Sequence, residues 1–179
     1  QPLPAGPGPT RPALNEDQRA ALDRLRPWMA PGAAQPVLLH GLTGSGKTEV
    51  YLHAADAALA SGRQVLVLVP EINLTPQLEA RFAERFSTGP TPRRIVSLHS
   101  GLTPAQRLKN WVAAQLGEAD LVLGTRMAVF APLAHLGLIV VDEEHDPSYK
   151  QQEGARYSAR DLAVYRGKLE GCAVLLGSA

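Results

Sequence analysis

The chain predicts an α/β fold, a mostly parallel sheet with helices on both faces, and two observations carry that prediction. Short apolar runs recur at residues 37–40, 65–69, 95–98, 121–123, 138–141 and 173–176, each of strand length. Between them lie longer stretches with helical spacing of apolar residues and recognisable start signals. Repeated alternation of strand and helix requires crossover connections, which make neighbouring strands parallel and bury them on both sides.

The elements follow in order. Residues 1–13 are rich in Pro and Gly and lack periodicity, so they read as a linker or the tail of an upstream domain, ahead of one domain over residues 14–179. Asn15 caps a helix whose Ala21, Leu22, Leu25 and Trp28 repeat at helical spacing, and Pro27 ends or bends it. Residues 31–36 form a loop. Thr75-Pro76 opens a helix that sets Leu78, Phe82 and Phe86 on one face. Thr103-Pro104-Ala105-Gln106 is a capping box with proline at the first helical position, ahead of Leu108, Trp111, Val112 and Leu116. Ser158-Ala159-Arg160-Asp161 starts the last helix in a similar way. Arg81, Arg85, Arg93 and Arg94 read as a solvated basic face, and Cys172, just before a buried strand, as an inert core thiol.

Composition limits the function classes. At 179 residues the chain holds one well-buried domain, and 45% hydrophobic with 20% charged residues is ordinary for a soluble globular protein. The net charge of +1 confines any nucleic-acid site to a local patch. A single cysteine excludes a disulfide framework or a cysteine zinc cluster within this chain and fits a cytoplasmic setting. No apolar stretch approaches the roughly 20 residues of a membrane span, and the first residues lack a signal-peptide pattern. The missing initiator Met and the stop at Gly177-Ser178-Ala179 lead to the expectation of a fragment of a longer protein.

Two motifs carry chemistry, each at the carboxyl end of a predicted strand, where ligands of such sheets bind. The first is GLTGSGKT: Gly41, Leu42, Thr43, Gly44, Ser45, Gly46, Lys47 and Thr48. Its glycines let the backbone bend closely around a phosphate, and the helix that follows favours an anion at its start. Lys47 is expected to reach the β- and γ-phosphates of ATP, and Thr48 to place its hydroxyl on Mg²⁺. The second is Asp142-Glu143-Glu144-His145. Asp142 ends a buried strand, where a lone carboxylate is costly, and Mg²⁺ makes it sensible. Glu143 is placed to orient and deprotonate the attacking water. Both motifs in this order point to nucleoside triphosphate hydrolysis by a mechanical ATPase. Gln18 leaves two roles open: contact with adenine, or bonding back to the Asn15 cap.

Six segments, GLTGSGKTEVYL, LVLVPEINLTPQ, LHSGLT, GTRMAVFAPL, VVDEEHDPSYKQQEGARY and LLGSA, resemble in order the first helicase lobe of the PriA family, superfamily 2 enzymes that move 3′ to 5′ on DNA and restart stalled replication forks in bacteria. The resemblance covers nearly everything after Asn15, and the DEEHDPSYKQQEG run is specific to that family. It implies a RecA-like P-loop NTPase lobe with ATP and Mg²⁺ as cofactors. It implies contact with single-stranded and forked DNA through Pro70, Thr75 and Gln77, through Gly124, Thr125 and Arg126, and through an aromatic-rich loop holding Tyr149, Lys150, Arg156 and Tyr157 that couples DNA contact to hydrolysis. Hydroxyls, amides and one arginine on the phosphate backbone give affinity without sequence reading, and aromatic stacking suits single strands. Thr75 reads equally as a plain helix cap. Arg126 has no evident structural job, which favours contact, whereas His99, beside Ser100, reads as structural. The chain departs from the family at Ala155, often an aromatic, and Ser158, usually His, which bears on the strength of coupling. The family also implies a second lobe with an arginine finger, a zinc-binding segment, and primosome and single-strand-binding partners, none within these residues, so the chain alone is expected to hydrolyse ATP poorly.

Rival readings are weaker. A nucleotide kinase or GTPase predicts an arginine-rich lid or a guanine-reading Asn-Lys-x-Asp segment, and neither is found. A nucleic-acid-binding module with weakened catalysis conflicts with intact Lys47, Thr48, Asp142 and Glu143. Other superfamily 2 translocases lack the QQEG segment.

Overall fold

A computed structural model describes residues 11–30, 32, 35–41 and 46–179. The assignments for Leu42, Thr43, Gly44 and Ser45, and for most of the first thirteen residues, fall outside the described residues.

Each apolar run forms a strand: β1 Val37–Leu39, β2 Gln64–Leu68, β3 Ile95–Leu98, β4 Leu121–Gly124, β5 Leu136–Val141 and β8 Ala173–Gly177. They make one six-stranded sheet in the order β1-β8-β5-β2-β4-β3, and every pairing is parallel. A short antiparallel pair, β6 Lys150–Gln151 and β7 Tyr157–Ser158, stands apart from it. The helices are α1 Glu16–Leu25, α2 Gly46–Ala60, α3 Pro76–Ser87, α4 Pro104–Gln115 and α5 Ala159–Glu170.

The pleat sends alternate side chains to opposite faces. Val65 and Val67 of β2, with Leu121, Leu123, Leu138, Val140 and Leu175, pack under α1, α2 and the Phe82–Phe86 edge of α3. Leu66 and Leu68, with Val122, Ile139, Val141, Val174 and Leu176, pack under α4 and α5. Close approach on this second face depends on small residues: a Cβ on Gly167 of α5 would lie 2.2 Å from Cγ2 of Val174.

The caps lie where the sequence puts them. Oδ1 of Asn15 accepts from the Gln18 amide at 2.8 Å while Oε1 of Gln18 accepts from the Asn15 amide at 2.9 Å. Thr103 and Gln106 form the same reciprocal box. Thr75 accepts from Leu78 and Ser158 from Asp161. α1 ends at Leu25 and a single 3₁₀ turn carries Pro27.

Two readings of the helix faces are corrected. In α4 the residues turned to the sheet are Ala113 and Ala114, with Trp111 packed at the edge of the core, whereas Leu108 and Leu116 are 64% and 66% exposed. Short side chains let the helix lie close to the edge strand, and that leaves its larger apolar residues outside. The second concerns Arg81 and Arg85. The Arg85 side chain is only 8% exposed, its guanidinium 2.7 Å from the Glu49 carboxylate, and Arg81 reaches the same carboxylate at 3.0 Å. Burial alone would raise the Glu49 carboxyl, but hydrogen bonds and charge from Arg85 and Arg81 outweigh it and hold the group below its ordinary range. Arg94 does behave as a surface residue, bridged to exposed Glu118. Cys172 is buried and its thiol is pushed up to about 11, first by desolvation, as an inert core thiol requires.

Candidate nucleotide-binding site

The parallel sheet delivers β1 and β5 with their carboxyl ends on one rim. β1 runs out through His40 into Gly41, whose backbone has φ 87 in the left-handed region and whose missing Cβ faces open space. The chain re-enters as α2 at Gly46, and the first turn carries Lys47 and Thr48. Lys47 is only 5% exposed. A buried ammonium needs a partner, and it has one from the far end of the chain: Nζ lies 2.9 Å from Oε1 of Glu143.

Asp142 and Glu143 sit where β5 stops. The Asp142 amide donates to the Leu68 carbonyl, which extends the ladder one residue past β5. Glu143 then adopts φ 47, the only non-glycine residue in the left-handed region among those described. Such a backbone costs on the order of 1 kcal/mol and persists only where surrounding contacts enforce it. Here those contacts are the bond from the Asp146 amide to the Glu143 carbonyl and the ion pair with Lys47. His145 approaches the other carboxylate oxygen of Glu143 at 3.7 Å. Glu144 is fixed twice, by Arg160 at 2.8 Å and by its amide on the Gly177 carbonyl.

Burial lifts the Asp142 carboxyl above its ordinary range, partly offset by a hydrogen bond from Tyr51 and the charge of Lys47. Among the described residues no cation lies within ion-pair distance of Asp142, and no group of three or more His, Cys, Asp or Glu is gathered around it. A desolvated carboxylate without a countercharge fits a magnesium ion whose remaining oxygen ligands come from a hydroxyl, waters and substrate phosphates rather than an all-protein cage.

Gln18 stands beside this rim. Its Nε2 donates to the Gly46 carbonyl at 3.2 Å while its Oε1 is held by the cap. The amide therefore links α1 to the start of α2 with both of its ends engaged.

Residues 15–179 match the family model for DEAD/DEAH box helicases. The chain belongs to the DEAD/DEAH box helicase family. Among curated relatives, the replication restart protein PriA of Bacillus subtilis is 44% identical over 93% of this chain and 20% of its own length. That of Haemophilus influenzae is 48% identical over 93% of this chain and 22% of its own length. That of Synechocystis is 51% identical over 80% of this chain and 17% of its own length. The chain thus spans about a fifth of the length of these relatives. Among solved structures it resembles RecG bound to a three-way DNA junction, with TM-score 0.69 and 24% identity over 94% of this chain and 21% of that one. It also resembles the helicase MrfA bound to DNA, with TM-score 0.64 and 19% identity over 92% of this chain and 24% of that one. These likenesses bear out the RecA-like α/β fold.

The remaining residues singled out in this helicase chain lie along the same rim. Pro70 follows β2 and Gly124 ends β4, and the two segments touch, the Val69 amide donating to the Gly124 carbonyl at 2.9 Å. Pro70, Gly124 and Thr125 are buried and offer no side-chain surface. Gly124 has no room for a side chain, since a Cβ would fall 2.3 Å from that of Ala128 and 2.6 Å from the Leu98 carbonyl oxygen. Thr75 caps α3, and Gln77 in its first turn is exposed. His99 has a structural role, its Nδ1 accepting from the Gly101 amide.

Two expectations need correction. Arg126 does have a structural job: its Nη1 donates to the carbonyls of Ser148 and Lys150, both at 3.2 Å, and so fastens the aromatic-rich segment. Tyr149 is 1% exposed, with its hydroxyl on the carbonyls of Leu68 and Asp142, so its ring presents no face to a base. Lys150 and Arg156 are exposed, and Tyr157 is half-buried with its ring edge-on to Phe130 at 5.1 Å.

Sequence reasoning missed Tyr51, whose hydroxyl donates to Oδ1 of Asp142 at 2.7 Å. The signal was available, because Lys47 and Tyr51 are one helical turn apart and share a face of α2.

Proposed function

We propose that this chain is the ATP-binding lobe of a replication-restart helicase, coupling ATP hydrolysis to 3′-to-5′ movement along one strand of DNA. The observation that carries the reading is the 2.9 Å contact between Lys47 and Glu143, residues on separate motifs brought to one point. Kinship with replication restart proteins supports the biological setting. Among the described residues no helix is long and apolar enough to cross a membrane, and the reading places the protein in the cytoplasm.

In this reading Lys47 exchanges Glu143 for the β- and γ-phosphates when ATP enters, and the amides at the start of α2 take up further phosphate oxygens. Thr48 and Asp142 would hold Mg²⁺, which neutralises charge on the phosphates when bound. Released from Lys47, Glu143 accepts a proton from the attacking water, and its fixed left-handed backbone limits where that carboxylate points. Gln18 is positioned beside the phosphate loop for adenine contact, which requires its amide to leave either the cap or the Gly46 carbonyl. Thr75 and Gln77 on one side, and Lys150, Arg156 and Tyr157 on the other, supply the DNA backbone and stacking contacts, with Arg126 holding the second group in place. Zinc, an arginine finger, and primosome and single-strand-binding partners belong to other parts of such a helicase. The lobe alone is therefore a slow ATPase.

The test is Lys47→Ala in the complete helicase. ATP hydrolysis and unwinding are expected to vanish while forked-DNA binding survives, and unwinding that persists in this variant refutes the assignment.

A further inference from the structure

The phosphate loop and the acidic box leave Tyr51 unexplained. It lies in α2 one turn beyond Lys47, is 2% exposed, and donates its hydroxyl to Oδ1 of Asp142 at 2.7 Å. A core tyrosine needs some partner for its hydroxyl, and a backbone carbonyl is the commonest choice. This one takes the carboxylate that ends β5.

The space around the hydroxyl is made by Gly177. A Cβ there would lie 1.6 Å from the Tyr51 hydroxyl oxygen, 2.9 Å from Cζ and 3.3 Å from Oδ1 of Asp142. Only glycine fits while the phenol occupies its place. Gly177 is itself fixed, because its carbonyl accepts from the Glu144 amide at 2.8 Å and the following Ser178 amide donates to the Leu39 carbonyl at 2.9 Å. The hydroxyl thus sits where β1, α2, the acidic box and the end of β8 meet.

We propose that Tyr51 is a positioning residue for the metal-holding carboxylate, fixing the direction of Asp142 through a space that Gly177 keeps open. The proposal rests on the nucleotide reading above. Hydrogen-bond partners of ligating carboxylates orient them, and losing one typically weakens metal affinity by 10- to 100-fold.

The experiment titrates a fluorescent ATP analogue into the full chain, first in EDTA and then at rising Mg²⁺, for wild type, Tyr51→Phe, Gly177→Ala and Lys47→Ala, with circular dichroism melts alongside. Tyr51→Phe keeps the ring and removes only the hydroxyl, so it is expected to fold, to bind nucleotide in EDTA as wild type does, and to need about tenfold more Mg²⁺ for half-maximal enhancement. Gly177→Ala displaces the phenol and is expected to shift the Mg²⁺ requirement in the same direction. Combined with Tyr51→Phe, it is expected to add less than it does alone, because the nearest clashing atom is gone. A Mg²⁺ requirement unchanged in Tyr51→Phe overturns the positioning role while leaving the nucleotide site intact. A wild-type chain whose binding ignores both Mg²⁺ and Lys47→Ala overturns the nucleotide reading and this proposal together.

Discussion

The two ends of the acidic stretch differ sharply. From Asp142 to Glu144 every side chain is held by a partner from another element: Tyr51 on Asp142, Lys47 on Glu143 and Arg160 on Glu144. From Lys150 to Ser158 the chain is a hairpin of two-residue strands, and exposed Gln152, Glu153, Ala155 and Arg156 occupy its tip. The first region is built to keep charges in fixed directions. The second is fastened at its base, by Arg126, by Tyr157 against Phe130 and the core, and by the Ser158 cap of α5. A segment with few buried contacts opens at low cost.

Breaking the fixed end should have the largest effect. Lys47→Ala removes the partner of Glu143 and, in the proposed function, the phosphate ligand with it, so ATP turnover of the complete helicase is expected to fall by at least about 100-fold in a coupled assay, since electrostatic groups on transferring phosphates are worth that much. Glu49→Ala next tests whether the arginines of α3 are structural. It leaves Arg85 buried without its carboxylate and is expected to lower unfolding stability by about 3 kcal/mol in urea titrations. A loss under about 0.5 kcal/mol would return Arg81 and Arg85 to the solvated face.

The same pair sets a pH dependence. The Glu49 carboxyl is depressed in the folded chain, so its contribution is fully present above the unfolded value of 4.5 and is lost as pH falls through the lower, folded value. His53 beside it is also lowered, first by burial and then by Arg85, so its contribution is present above 6.5 and declines below. Asp142, raised, runs the other way: it favours the fold at low pH and loses that advantage as pH rises through its folded value. Melting temperatures taken downward from pH 7 are expected to fall, and the fall below 4.5 should shrink in Glu49→Gln. The smallest effect belongs to the loose end. Arg156→Ala is expected to weaken single-stranded DNA binding roughly threefold at moderate salt, with a shallower salt dependence by one phosphate contact, in fluorescence anisotropy.

The strands, their parallel arrangement and the caps were legible because each rests on local pattern: short continuous apolar runs separated by helical stretches, Thr-Pro and Ser starts, and reciprocal Gln boxes. The meeting of Lys47 with Glu143 was legible because their two motifs follow the carboxyl ends of parallel strands. What escaped were partnerships fixed by tertiary distance. Nothing local to Arg85 reveals that Glu49 of another helix faces it. Nothing local to Tyr149 separates a ring buried beneath β2 from one offered to a base. The exposed Leu108 and Leu116 misled for a related reason: side-chain size, the cue that pattern reading weighs most, gave way to the close approach that Ala113 and Ala114 permit.

The strand order carries a consequence for biosynthesis. β1, which leads into the phosphate loop, pairs among the described residues with β8 alone, and β8 is the last of these six strands in chain order. A nascent chain ending before Ala173 can pair β5, β2, β4 and β3, yet β1 has nothing to zip against and Gly177 is not there to seat the phenol. The proposed nucleotide site therefore completes only once β8 has been made, and ligand capture by stalled chains of graded length would report the moment it does.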